Sequence, residues 1–166
     1  MKIGIVSDSH GRSVVLRRAL QTLVDHGAEV LVHCGDLGNP DCLAALAERN
    51  LPAYAVAGNI DCHLDVLTDE ARMLGVEFAP ELLSVPLGNG FALAVMHGNH
   101  AGLMMQCCAC GHYRYVCHGH THRTRDEYVG AAHVINPGAL YNTACPTVAL
   151  LDTVSDEVVH YAIPME

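Results

Sequence analysis

The feature that most constrains this chain is where its apolar runs stop. Residues 1–7 (MKIGIVS) end at Asp8, Ser9, His10 and Gly11, and residues 29–34 end at Gly35-Asp36. Residues 53–57 end at Gly58-Asn59, residues 91–96 at His97-Gly98, and residues 115–117 lead into Gly119-His120-Thr121-His122. Runs this short and apolar read as strands buried on both faces. Between the first three lie helical patterns. Val14, Val15, Leu16, Ala19, Leu20, Leu23 and Val24 recur at helical spacing over residues 13–26, with Ser13 expected as the cap and Gly27 as the stop. A second helix is expected from Pro40 to about Arg49. The β-α-β-α-β order predicts parallel strands joined by right-handed crossovers. In such sheets ligands bind beyond the carboxyl ends of the strands.

The second half is less regular. A short helix is expected over residues 66–74, and the strand-like runs 82–87 and 91–96 flank Gly88-Asn89-Gly90, a hairpin signal. Residues 101–110 are apolar enough for a buried helix. Short strands follow at 127–129, 133–135, 147–152 and 157–162, the last two joined by a turn near residues 153–156. With no repeat, low-complexity segment or linker in view, one domain over residues 1–166 is expected.

Composition narrows the partners. Half of the residues (51%) are hydrophobic and Trp is absent, so the core must come mainly from Val, Leu, Ile and Ala. Lys and Arg number 9 against 18 Asp and Glu, a formal net charge of −9, which argues against nucleic acid as a partner. A chain this acidic that handles an anion needs a local source of positive charge, and bound metal would supply it. No uncharged apolar run approaches the roughly 18 residues of a membrane span, and MKIGIVSDSHG is not a signal peptide. A cytoplasmic protein without membrane contact is therefore expected. Its eight cysteines then read as reduced core residues or metal ligands. Cys107-Cys108-Ala109-Cys110, with Cys117 and His112 nearby, does not have the spacing of paired C-x2-C knuckles, and buried free thiols are the simpler reading.

The strand-end set is Asp8, His10, Asp36, Asn59, His97, His120 and His122. Seven donors exceed one closed four-ligand zinc site. They suit two adjacent divalent ions sharing a ligand, with mixed N and O donors favouring Mn, Fe, Zn or Ni. The plain alternative is that Asp8, Asp36 and Asn59 are ordinary strand-to-helix caps. Asp61 reads first as a loop or cap residue, and His118 as pointing away from His120 by alternation. Asn136-Pro137-Gly138 reads as a turn closing the site loops, and Arg123 and Arg125 as phosphate contacts or solvated strand-end charges.

Asp8-Ser9-His10, Gly35-Asp36, Gly58-Asn59, His97-Gly98 and Gly119-His120-Thr121-His122, in that order, resemble the signature of the calcineurin-like metallophosphoesterases. The near-immediate start and Asn136-Pro137-Gly138 resemble the small single-domain bacterial and archaeal phosphodiesterases of that superfamily. The resemblance implies an α/β fold, a four-layer α/β/β/α sandwich of two mixed sheets flanked by helices. It implies that Asp8, His10 and His122 hold one ion, that Asn59, His97 and His120 hold the second, and that Asp36 bridges both. Mn is the first choice of metal, with Fe, Zn or Ni as alternatives. A metal-bridging water or hydroxide would attack a small phosphoester, a diester in preference to a monoester, without a side-chain nucleophile.

Two departures stand out. Many members of the resembled superfamily carry a histidine directly after Gly-Asn that protonates the leaving group; here that position is Ile60, and the small phosphodiesterases the chain most resembles also lack the histidine, often having cysteine there. The histidine that often follows His97-Gly98 is replaced by Asn99, with His100 after it. His100 is therefore the candidate proton donor and, with Asn59 and Arg123, a candidate substrate contact; His63 ranks below it. Asp36, Asn59, His97 and His100 make up the expected catalytic group. The alternative reading is a non-catalytic, metal-binding interaction scaffold resembling the retromer sorting subunit. A nuclease, a third reading, is disfavoured by the acidic balance. A homo-oligomer is compatible with the sequence, which does not otherwise report oligomeric state.

Overall fold

The structure, a computed structural model, describes residues 1–88 and 90–164. In chain order the elements are β1 (Lys2–Val6), α1 (Ser13–Asp25), β2 (Val30–His33), α2 (Pro40–Ala47), β3 (Ala53–Val56), α3 (Leu64–Leu74), β4 (Glu77–Ala79) and β5 (Leu82–Pro86). They continue with β6 (Ala92–Met96), α4 (Ala101–Ala109), β7 (Tyr113–Cys117), β8 (Thr124–Val129), β9 (Ala132–Pro137), β10 (Thr147–Asp152) and β11 (Glu157–Ala162). Six strands form one sheet in the order β11-β10-β1-β2-β3-β4, and five form the other in the order β5-β6-β7-β9-β8. Strands β1 to β4 run parallel, β10 pairs antiparallel with β1, and β11 pairs antiparallel with β10. In the second sheet β6, β7 and β9 run parallel, while β5 and β8 are antiparallel edges. Both sheets are mixed.

Side-chain alternation turns those sheets into four layers. Ile3, Ile5, Val30 and Val32 of the first sheet meet Leu93, Val95, Tyr115, Cys117 and Ile135 of the second in a buried core between them. The opposite face of the first sheet, with Val6 and Leu31, packs against Leu16, Leu20 and Leu23 of α1, Leu43 and Leu46 of α2 and Leu67 of α3. Ala94, Met96, Val116 and Val134 of the second sheet pack against Cys107 of α4. Small strand residues allow the close approach: a Cβ on Gly4 would lie 3.0 Å from Leu23 and Leu31 methyl groups. Among the described residues no helix is long and apolar enough to cross a membrane.

The structure corrects several expectations. The N-cap of α1 is Arg12 rather than Ser13, which is already helical, and no side chain caps that end. The segment after α3 adds a strand, β4, whose three residues were too few to show a periodicity. Helix α4 is not a buried helix. Only Cys107 faces inward fully, and Met105 is 72% exposed, because the helix packs on one face of the second sheet and turns its other side to solvent. Strands β5 and β6 pair antiparallel as the hairpin signal implies, although Asn89 lies outside the described residues. Asn136 and Pro137 are strand residues of β9, not a turn.

One polar contact ties the two sheets together. Asp156, in the turn between β10 and β11, accepts hydrogen bonds from Tyr115 and Tyr128 (both 2.8 Å) and Arg114 (3.2 Å), and faces His133 Nδ1 at 3.3 Å. These four partners come from β7, β8 and β9 of the other sheet. Burial alone raises the Asp156 pKa, but hydrogen bonds from Tyr128, Tyr115, His133 and Arg114 hold it down to about 2. A carboxylate held below its unfolded pKa of 3.8 contributes stability that is present above about pH 4 and is lost as pH falls toward 2. We predict that Asp156→Asn lowers stability on the order of 1 kcal/mol at neutral pH, once solvent screening of its exposed edge is allowed for. Denaturant unfolding at pH 7 and pH 3 should show the difference from wild type shrinking at the lower pH.

Candidate metal centre

The carboxyl ends of β1, β2, β3, β6 and β7 open onto one spot, and the loops that follow them carry the seven strand-end donors. Asp8 is fully buried, Asp36 is 3% exposed and His97 is 2% exposed. Asp8, His10 and His122 each bring one donor atom within 4.8 Å of the others, and so do Asp8, Asp36 and His97. His122 Nε2 lies 3.2 Å from Asp8 Oδ1, and His10 Nε2 lies 3.3 Å from Asp36 Oδ2. The other Asp36 oxygen, Oδ1, lies 3.3 Å from His97 Nε2. Asn59 Oδ1 faces both His97 Nε2 at 2.9 Å and His120 Nδ1 at 3.0 Å. Each Asp36 oxygen thus addresses a different half of the set.

These donors fit divalent ions. Ligands about 2.1 Å from a common ion sit roughly 3.0–3.4 Å from one another, the spacing found here. Asp8 Oδ1 and His10 Nε2 are also buried without a hydrogen-bond partner, as expected of atoms held for a cation. The Nδ1–H of His97 donates to the Cys34 carbonyl (2.9 Å), which orients the ring and leaves Nε2 facing the cluster. Burial raises the pKa of Asp8. It would raise that of Asp36 too, but hydrogen bonds from His97 and the Ile60 amide bring it below the ordinary value. Burial lowers the His97 pKa, but hydrogen bonds to Asp36 and the Cys34 carbonyl, with the nearby charges of Asp36 and Asp8, together raise it above the ordinary value.

The backbone is strained at the same residues. Asp8, His10, Asp36, His120 and His122 all have positive φ, between 46° and 67°, and make up five of the eight such non-glycine residues described. That conformation turns the chain back at each strand end, so His120 and His122, two apart, both face the cluster. Two glycines make room for it. A Cβ on Gly58 would collide with the Asp36 carboxylate, and one on Gly119 with the Ser7 and Asp8 side chains. The cap alternative fails. The N-caps of α1 to α4 are Arg12, Asn39, His63 and His100, so Asp8, Asp36 and Asn59 cap none of them.

Residues 1–156 match the calcineurin-like phosphoesterase superfamily domain. The chain belongs to that superfamily. It is 31% identical over 160 residues to a phosphodiesterase of Methanocaldococcus jannaschii, covering 95% of this chain and 96% of that one. A solved archaeal phosphodiesterase superposes with a TM-score of 0.88 at 30% identity, covering 98% of this chain and 99% of that chain. The vacuolar protein sorting 29 of Cryptosporidium parvum shares the fold at a TM-score of 0.63 and 18% identity, covering 99% and 98% of the two chains. Membership makes this calcineurin-like chain a phosphoesterase-type hydrolase and implies divalent metal.

Two expected site residues lie apart from the cluster. His100 is 63% exposed, with Nε2 3.8 Å from Glu81 Oε1. It lines a cavity of about 290 Å³ that also reaches His97 and Gly58. Arg123 is exposed and lines a different cavity with His118 and Thr121. His118 does point away from His120: its ring meets Arg125 at 3.4 Å, and burial pushes its pKa down to about 4.

Several supports were underrated by sequence reasoning. Asp61 accepts from three backbone amides, Leu37 (3.0 Å), Gly38 (2.8 Å) and Gly58 (2.8 Å), locking the Asp36 loop to the Asn59 loop. Asn136 donates to the Gly119 carbonyl (2.9 Å) and to Thr121 (3.1 Å), and so anchors the loop of His120 and His122. His33 accepts from the Gly35 amide at Nδ1, so its Nε2–H donates to Ser9 Oγ (2.9 Å), which donates on to the Leu37 carbonyl. Its burial pushes its pKa down to about 3, keeping it neutral. Tyr141 stacks on the His10 ring at 4.4 Å, with 23° between the planes. The short return from Asp61 to Gly58 was the available signal for Asp61; the others are long-range contacts. We predict that Asp61→Ala, which leaves three amides unpaired, costs about 2–4 kcal/mol in denaturant unfolding. An unfolding midpoint equal to wild type would show that this clamp does not hold the loops.

Proposed function

We propose that the protein hydrolyses phosphodiesters with two divalent ions. Asp8, His10 and His122 would hold one, Asn59, His97 and His120 the other, and Asp36 would span both. The observation that carries this reading is the coincidence of strain and chemistry: five of the seven donors sit in left-handed backbone conformations that aim them at one place. Bound ions would supply an acidified water and the positive charge that a phosphoryl group in transfer needs. The protein's part is to fix the donors, with the Tyr141 ring stacked on His10, and to keep His33 neutral behind them. Mn is our first choice of metal because the donors mix imidazole, carboxylate and amide and include no thiolate.

A diester is favoured over a monoester by charge. Two cavities touch the Gly58–Asp61 turn, and among the described residues neither is lined by Lys or Arg, so the second negative charge of a monoester would find no cationic side chain in them. His100, which lines the first of these cavities with His97, would give a proton to the leaving oxygen in the role that Ile60 cannot perform. Eight free cysteines, four of them buried, suit a reducing setting such as the cytoplasm.

Chelator-stripped protein should not turn over bis(4-nitrophenyl) phosphate and should regain activity with Mn²⁺. Asp36→Asn should lose at least 100-fold in kcat/KM, on the order expected when a shared ligand is lost. A folded wild-type protein inactive with Mn²⁺, Fe²⁺, Zn²⁺ and Ni²⁺ would favour the interaction scaffold, whose fold it shares. His100→Gln tests the proton donor. It should slow alkyl diesters about 100-fold while changing 4-nitrophenyl diesters far less, because 4-nitrophenolate leaves without a proton.

A further inference from the structure

Beside the cluster, on the other side of the Gly58–Asp61 turn from His100, lies a cavity of about 330 Å³. Pro40, Ile60, Val66 and Leu67 line it, and Asn39, Cys62 and the exposed His63 add polar groups to the lining. Ile60 is 38% exposed and Val66 49% exposed, so apolar surface faces solvent next to a polar centre. The nearby carboxylate does not make this space polar, since both oxygens of Asp61 are bound to backbone amides. The Cys62 thiol likewise donates to the Ile60 carbonyl (3.4 Å).

One wall of the cavity adjoins the site. The Ile60 amide donates to Asp36 Oδ1 at 3.1 Å, so one hydrogen bond separates the cavity wall from the carboxylate that addresses both halves of the cluster. Asn39 donates to the Gly11 carbonyl (3.3 Å), which joins the opposite wall to the loop of His10. The loops that follow Asp36 and Asn59 therefore line one mainly apolar space. Its volume exceeds the roughly 150 Å³ that holds a benzene molecule in a protein core.

We propose that this cavity takes the apolar ester group retained by the phosphodiester, an alkyl or aryl alcohol moiety, while the leaving group lies on the His100 side. The inference rests on the phosphodiesterase reading above. It gives Ile60, which follows the Gly58-Asn59 pair, a role of its own as part of the specificity wall. A group with several methylenes gains from leaving water there, and a methyl group does not.

The test compares butyl and methyl 4-nitrophenyl phosphate with Mn²⁺-loaded enzyme. The butyl ester should have a kcat/KM about tenfold or more above the methyl ester, and in Val66→Asp that ratio should fall toward one. A ratio near one in wild type, or one unchanged by Val66→Asp, would overturn the subsite while leaving the phosphodiesterase reading intact. A second readout needs no turnover. In methyl-labelled protein, butylphosphonate should shift the Val66 and Leu67 methyl resonances and methylphosphonate should not. Shifts without turnover of either ester would keep the subsite and sink the phosphodiesterase reading, and equal responses to the two phosphonates would overturn the subsite.

Discussion

Two carboxylates buried side by side set the terms for the rest of this structure. Asp8 and Asp36 are nearly sealed from water, and a pair of like charges removed from solvent is costly unless opposite charge or hydrogen bonds meet it. The chain answers with imidazoles instead of lysine or arginine. His122 stands against Asp8, while His10 and His97 take the two oxygens of Asp36. Imidazoles can share those oxygens with a cation, whereas an arginine would neutralise them and close the site. The surrounding order follows from that choice. Asp61 and Asn136 hold the loops by their backbones, and glycines 58 and 119 clear the space that the carboxylates occupy.

The sandwich beneath supplies rigidity where the loops cannot. Each donor loop leaves a strand whose alternate residues are locked between the sheets or against a helix, so its starting point is fixed by packing on both faces. The Asp156 clasp holds the two sheets at their far edges. Loops of this shape on a softer scaffold would let the carboxylates drift apart, since repulsion between them is relieved by any movement.

What could be read in the sequence was what local pattern encodes. Apolar runs ending in Asp, Asn or His marked the strands and placed all seven donors at their ends, because burial on both faces keeps most polar residues out until a strand leaves the sheet. Helix α4 misled for the same reason: its apolar residues suggested burial, yet Met105 faces solvent because nothing covers the outer side of that helix. Strand β4 is three residues long and pairs only with β3, so it has no period of its own to detect. Asn136, His33 and Tyr141 act on partners 17, 24 and more than a hundred residues away, and no spacing rule links them. Asp61 was the near miss, a residue whose carboxylate returns three positions to the Gly58 amide and then reaches a second loop.

The placement of strain bears on whether this surface reacts or merely binds. Left-handed conformations cost of order 1 kcal/mol for residues with a Cβ, less for Asp and Asn and more for bulkier side chains. Five of them in one cluster are an appreciable fraction of the 5–15 kcal/mol that holds a typical domain together. A surface that only gripped a partner would be served by relaxed loops, since an interface tolerates shifts of side chains and small shifts of backbone. Chemistry at phosphorus tolerates far less, because rate depends on reacting groups held to within about half an ångström. Here the strain falls on the residues whose donor atoms meet, and the four helix N-termini, where a side-chain cap would be easy to place, go without one. The fold therefore concentrates its conformational cost on the relative positions of a few donor atoms, as a site that must hold a reacting geometry requires.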